Sequence, residues 1–163
     1  MRIDPASRDD VRTVALAMRG RDFAEFSAVS FADTREQLAD ALAERYGDRH
    51  DVMCGFHKGS PACIGGTILA RPNVATLLFF ATDEFPRIGL PTTRFIKKQL
   101  FPRLVDAGVH RIEAVSMEGH VETHAWLRTL GLEPETGPMH GYGRRGEAFI
   151  QFAWVQDVRS ARP

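Results

Sequence analysis

The chain has 163 residues, 44% hydrophobic and 26% charged, the size and composition of one globular domain with a real core. Its 21 Lys plus Arg balance 21 Asp plus Glu, so the formal net charge is zero. That excludes the broad basic field that general nucleic-acid or membrane-surface binding relies on. No apolar run approaches the length of a membrane span, the opening Met-Arg-Ile-Asp-Pro is no signal peptide, and two cysteines fit a reducing cytoplasm.

In chain order, Arg2 to Ala6 reads as a short strand cut off by Pro5. Ser7 is a helix N-cap, with Asp10 three residues on as a short-armed capping-box partner. Val11, Val14, Ala15 and Met18 then form one apolar face, and Gly20 is read as the stop. Arg21 to Phe31 carries Phe23, Phe26 and Phe31, which read first as packing residues. Thr34 and Gln37 make a second capping box ahead of the stripe Leu38, Ala41, Leu42 and Tyr46.

Asp51 to Phe56 and Ala62 to Ala70 are strand candidates joined by a hairpin, with Lys58-Gly59 as its tight turn. That turn places Cys54 opposite Cys63. A cross-strand disulfide is conceivable there, but the cytoplasmic reading predicts two free thiols. Gly65 and Gly66 signal a bulge or a close backbone approach. Val74 to Ala81 is the most apolar run and is predicted to be the central strand.

Next comes Thr82-Asp-Glu-Phe-Pro-Arg-Ile-Gly-Leu-Pro-Thr92, then a helical pattern from Thr93 to Ala107 with Pro102 expected to kink or split it. A strand, loop and helix of this kind aims backbone N–H groups and a positive dipole end at one spot, which suits an anion. His110 to Ser116 reads as a strand and Gly119 to Leu130 as the last helix, with Trp126 predicted largely buried. Met139 to Tyr142 and Glu147 to Trp154 read as a closing hairpin around Gly143-Arg-Arg-Gly146. Residues 1–156 are read as a single domain and 157–163 as a flexible tail.

This order of elements resembles the GNAT superfamily of acyl-CoA-dependent N-acyltransferases over nearly the whole chain. Arg2-Ile-Asp-Pro-Ala-Ser-Arg-Asp9-Asp10 is similar to that family's opening, and Ala125-Trp-Leu-Arg-Thr-Leu-Gly131 to its last helix. The family's Gln/Arg-x-x-Gly-x-Gly/Ala loop falls on Arg87-Ile-Gly-Leu90-Pro-Thr92, where Arg87 matches and Leu90 and Thr92 replace the glycines. The strings Gly108-Val-His-Arg-Ile-Glu-Ala, Trp126-Leu-x-x-Leu-Gly131 and Gly143-x-x-Gly-Glu-x-Phe resemble GNAT-like proteins of tailed phages.

The resemblance implies an α/β (α+β) GNAT fold: a mixed, mostly antiparallel sheet of six or seven strands with helices on both faces. It implies acetyl-CoA as cosubstrate and an amine as acceptor. The pantetheine arm would pair with Phe80, Ala81 and Thr82. The pyrophosphate would lie on Arg87, Ile88, Gly89, Leu90, Thr92 and Thr93. Asp83 and Glu84 are the carboxylates at the expected base position. Leu127 stands at the usual Tyr general acid, so transfer is expected to be weak. The segment with Phe23, Phe26 and Phe31 would flank the acceptor side. The alternative is a catalytically silent GNAT-like component of a phage-type particle, with phage structural proteins as partners and the virion or host cytoplasm as its location. The pattern fixes no oligomeric state.

His120 and His124 stand four apart on one helix, a spacing that can hold a metal, but no third ligand accompanies them and no metal is expected. Arg144 and Arg145 read as a solvated hairpin tip.

Overall fold

The computed structural model describes residues 1–157. Nearly all of the segment read as a flexible tail lies outside them. The chain runs β1 (Arg2–Pro5), α1 (Arg8–Leu16), α2 (Gly20–Ala28), α3 (Arg35–Tyr46), β2 (Val52–His57), β3 (Ser60–Arg71), β4 (Val74–Ala81), α4 (Gly89–Phe95), α5 (Phe101–Asp106), β5 (Arg111–Met117), α6 (Val121–Thr129), β6 (Glu133–Pro134) and β7 (Phe149–Val155). One seven-stranded sheet has the order β1-β2-β3-β4-β5-β7-β6, with β4 at its centre as its sequence predicts. Among the described residues, only the β4–β5 pair is parallel. No helix among the described residues is long and apolar enough to cross a membrane.

Local sequence explains most boundaries. Ser7 and Asp10 form the predicted reciprocal capping box, at 3.1 and 3.0 Å. Thr34 caps α3 through the Gln37 amide, while the Gln37 side chain takes the Asp33 N–H instead of the cap's own. Lys58 and Gly59, both at positive φ, form the predicted turn between β2 and β3. Gly66 is a close approach: a Cβ there would stand 2.4 Å from the Asp51 carbonyl oxygen.

Two readings need correction and a third is refined. Gly20 starts a helix instead of ending one, so three helices precede β2. Ahead of Pro102 the helix is split as expected: a π-helical stretch, Ile96–Leu100, separates α4 from α5, and in it the Phe101 N–H reaches the Ile96 carbonyl. The closing hairpin is mostly replaced by β5–β7 pairing; β7 meets only Glu133 and Pro134 of β6, plus a single bridge from Met139 to Phe149.

Alternation along β4 builds the two layers. Leu78 and Phe80 join the core beneath α1 and α3, whereas Ala75 and Leu77 join the core beneath α4, α5 and α6.

The cysteines also depart from the simple hairpin. A register shift at Gly55/Phe56 sets Gly55, not Cys54, opposite Cys63. Cys54 packs into the α1–α3 core and Cys63 into the cluster on the other face. Both are free, buried thiols. Burial pushes Cys54 up to about 12 and Cys63 up to about 11, so both stay protonated at mildly alkaline pH. The native protein at pH 8 is expected to react slowly with a thiol reagent, and the denatured, unreduced protein to yield two thiols at once. A denatured count of zero would contradict the register.

Candidate functional site

The sheet opens at one place. β4 and β5 pair only over Val74–Thr76 and Arg111–Glu113. Beyond that, β4 continues to Ala81 and β5 to Met117, each held on its outer side by β3 or β7. The two strands diverge into a cleft of about 90 Å³, lined by Leu77, Phe79, Phe85, Ala114, Val115, Trp126 and Leu127, with polar groups from α2 and its N-terminal junction.

The junction between α1 and α2 closes the far end of the β4 edge. The Ala81 carbonyl accepts the Arg19 N–H at 2.8 Å, and the Ala81 N–H donates to Asp22 Oδ2 at 2.8 Å. Arg19 and Asp22 are joined by a fork of hydrogen bonds from 2.9 to 3.1 Å, with side chains only 14% and 9% exposed. The Arg19 guanidinium lies 5.2 Å from the Phe85 ring centre. Thr82 turns the other way and donates its N–H to the Ala62 carbonyl of β3. Alternation therefore leaves Phe79 and Leu77 as the β4 residues whose backbone groups face the cleft.

A second polar cluster sits across the opening. Glu25 of α2 uses one oxygen, Oε1, for three donors: Ser116 Oγ at 2.7 Å, Met117 N–H at 2.7 Å and His120 Nδ1 at 2.9 Å. A carboxylate only accepts, so His120 carries its proton on Nδ1. Among the described residues Oε2 accepts no hydrogen bond, yet no buried side-chain oxygen lacks a partner. Oε2 therefore reaches solvent, and Glu25, with a side chain 17% exposed, lines the cleft. Arg21, also on the lining, is paired to Glu122 of α6 across the opening.

Aromatic rings narrow the space. Phe79 lies 4.6 Å from Trp126 and 4.9 Å from Phe85, centre to centre. The Trp126 indole N–H donates to Thr93 Oγ1 at 3.0 Å. Trp126 is therefore largely buried against the core, as its sequence context predicts, and also lines the cleft. Leu127 is buried beside it.

The structure separates the residues that the sequence groups together. Phe80 and Thr82 direct their backbone groups toward β3, and Ala81 is occupied by Arg19 and Asp22. Asp83 and Glu84 are exposed and do not line the cleft; Glu84 pairs with Arg87 at 3.1 Å and lies 3.9 Å from His57. Ile88 is core. Gly89 and Leu90 open the first turn of α4, where amides have no intrahelical acceptor. Thr92 and Thr93 spend their hydroxyl protons on the Ile88 and Gly89 carbonyls, each at 2.7 Å. Of the two histidines spaced for a metal, His120 is committed to Glu25, and His124 donates from Nε2 to the Met117 carbonyl at 3.1 Å. Burial holds His124 below the usual imidazole range, so it stays neutral. Among the described residues, no group of three or more His, Cys, Asp or Glu is arranged to hold a metal. Arg144 is no free tip: it grips the carbonyls of Ser30 and Ala32 and the Asp33 carboxylate.

Sequence reasoning misses Glu25, Asp22 and Arg19. The available signal is two carboxylates three residues apart among the aromatics of α2, a polar face where simple packing would leave none.

No protein-family model and no curated protein sequence matches the chain. Solved structures do. A ribosomal-protein-alanine N-acetyltransferase from Brucella melitensis superposes with a TM-score of 0.67 at 19% identity, over 95% of this chain and 99% of that one. A GNAT superfamily phosphinothricin acetyltransferase from Sinorhizobium meliloti, in complex with acetyl-CoA, gives 0.69 at 15% identity, over 99% and 91%. The chain has the GNAT fold. An N-acetyltransferase from Staphylococcus aureus gives a TM-score of 0.69 at 12% identity, over 94% and 97%. At these identities the likeness is one of fold, and within the GNAT fold the parted β4 and β5 frame the one cleft that Glu25 lines.

Proposed function

We propose that the protein is an acetyl-CoA-dependent N-acetyltransferase that works in the cleft between β4 and β5. The observation that carries this reading is Glu25: a carboxylate pinned through Oε1 by three donors, its Oε2 accepting no hydrogen bond, on the lining of a partly aromatic cleft inside a GNAT fold. Acetyl-CoA would supply the acyl thioester. An acceptor amine arrives as ammonium and must lose a proton before it can attack. Glu25 Oε2 is placed to take that proton, with His120 holding the carboxylate in position. This role passes to Glu25 from Asp83 and Glu84, because neither of those reaches the cleft.

The residues fit the cosubstrate only in part. Phe79 and Leu77 offer backbone groups for the pantetheine amides. Arg87 and the free amides of Gly89 and Leu90 are suited to the pyrophosphate. Pro91 offers no N–H, and the Thr92 and Thr93 protons are already used. Each missing charge-assisted hydrogen bond costs about 1.5–3 kcal/mol, about tenfold or more in affinity. The Phe79, Phe85 and Trp126 rings also occupy space that the arm would need. Acetyl-CoA is therefore expected to bind in the micromolar range or weaker. Titration calorimetry checks this, and a submicromolar affinity would contradict it.

The same rings favour a second reading, a catalytically silent GNAT-fold protein, which the tailed-phage resemblance of the sequence would make a component of a phage-type particle. Retention on CoA resin separates the two. Retention with release by free CoA supports the enzyme. No retention, together with no acetyl transfer to any amine, supports the silent component.

A further inference from the structure

We infer that the acceptor is a monocationic primary amine with an apolar body and no carboxylate beside its amino group. This rests on the acetyltransferase reading and names the substrate class of that same cleft. Most charges in the cleft are already matched. Arg19 is held by Asp22 and Arg21 by Glu122. His120 faces Glu25. Counted by side chain, both guanidiniums face a carboxylate, so Glu25 is the cleft charge with no guanidinium opposite it, and its Oε2 offers an ammonium group an acceptor.

A carboxylate on the ligand meets the opposite situation. Both guanidiniums at the cleft already face a carboxylate, so an acid group would have to share Arg19 with Asp22, which is nearly buried, or Arg21 with Glu122. It would also lie close to Glu25, and like charges repel at short range. Apart from Thr123, the rest of the wall is hydrocarbon and aromatic, with Phe79, Phe85 and Trp126 within ring contact of one another. Such a wall packs an alkyl or aryl body and adds attraction for a cation over a ring face.

Three ligands of one shape separate the contributions: phenethylamine, the amino acid phenylalanine, and uncharged phenethyl alcohol. Each is titrated by calorimetry into wild type and Glu25→Gln, without cosubstrate and again with CoA. Phenethylamine is expected to bind wild type about tenfold or more tighter than either of the others. Glu25→Gln is expected to erase its advantage over the alcohol, since Gln keeps an oxygen for Ser116 and Met117 but loses the charge. Phenylalanine binding as tightly as phenethylamine would overturn the inference, with Arg21 as the residue then to examine. So would an amine advantage that survives in Glu25→Gln. The wild-type ranking stands by itself should the variant fail to fold. Amine selectivity without any CoA binding would count against the acetyltransferase reading alone. CoA binding without amine selectivity would count against this inference alone.

Discussion

Glu25→Gln is expected to lower kcat/KM for acetyl transfer by about 10²–10⁴-fold, the usual worth of a positioned general base. The substitution is nearly isosteric. Its side-chain oxygen can still accept from Ser116 and the Met117 amide, so little change in melting temperature is expected. What is lost is the basicity of the open oxygen. Ser116→Ala removes one of three donors to Oε1 and leaves that basicity in place, so its expected loss is smaller, about tenfold or less. Steady-state kinetics on the best amine of a panel gives both numbers. Asp83→Ala and Glu84→Ala serve as the contrast: both residues are exposed and outside the cleft, and activity should stay near wild type. A Glu25→Gln enzyme as active as wild type would remove Glu25 from the mechanism.

Asp22→Ala is expected to give the largest loss of stability, about 3–5 kcal/mol, because it strands a nearly buried guanidinium. Arg19 would lose both arms of its fork, and the Ala81 N–H would lose its acceptor at the end of β4. For a chain of this size the melting temperature should fall by roughly 10 °C. Asp22→Asn keeps an acceptor for the Ala81 amide and should cost less. Urea unfolding compares the three proteins. A loss below about 1 kcal/mol for Asp22→Ala would show that water reaches Arg19 freely and that the junction does not seal the cleft.

What the sequence shows plainly here is what is decided over a few residues. The Ser7–Asp10 cap, the Lys58-Gly59 turn and the apolar run of β4 are each set by neighbours in the chain, and each appears where its pattern places it. The GNAT order of elements follows from adding such local signals together. Long-range pairing is less legible. The register shift at Gly55/Phe56 moves Cys54 away from Cys63, and nothing in the hairpin sequence announces it. Gly20 reads as a stop because glycine commonly ends helices, yet α2 begins there.

The site is the least legible part, and distance is the reason. Glu25 and Ser116 are 91 residues apart in the chain and 2.7 Å apart in space. Their meeting depends on how far β4 and β5 diverge, and no local pattern encodes that. The loop after β4 drew attention to Asp83 and Glu84 because they follow the central strand. The turn of the chain there leaves both exposed, while a helix read as packing places Glu25 on the cleft lining.

The central claim, that acetyl-CoA enters the cleft between β4 and β5, is tested most directly by the indole N–H resonances of the two tryptophans. Trp126 lies in the cleft with its N–H on Thr93, and Trp154 stands on β7 among the residues packed under α6. Trp126→Phe assigns the signals. Addition of acetyl-CoA is predicted to shift the Trp126 resonance in a saturable manner while Trp154 stays in place. A Trp126 resonance that does not move at millimolar acetyl-CoA would contradict the account.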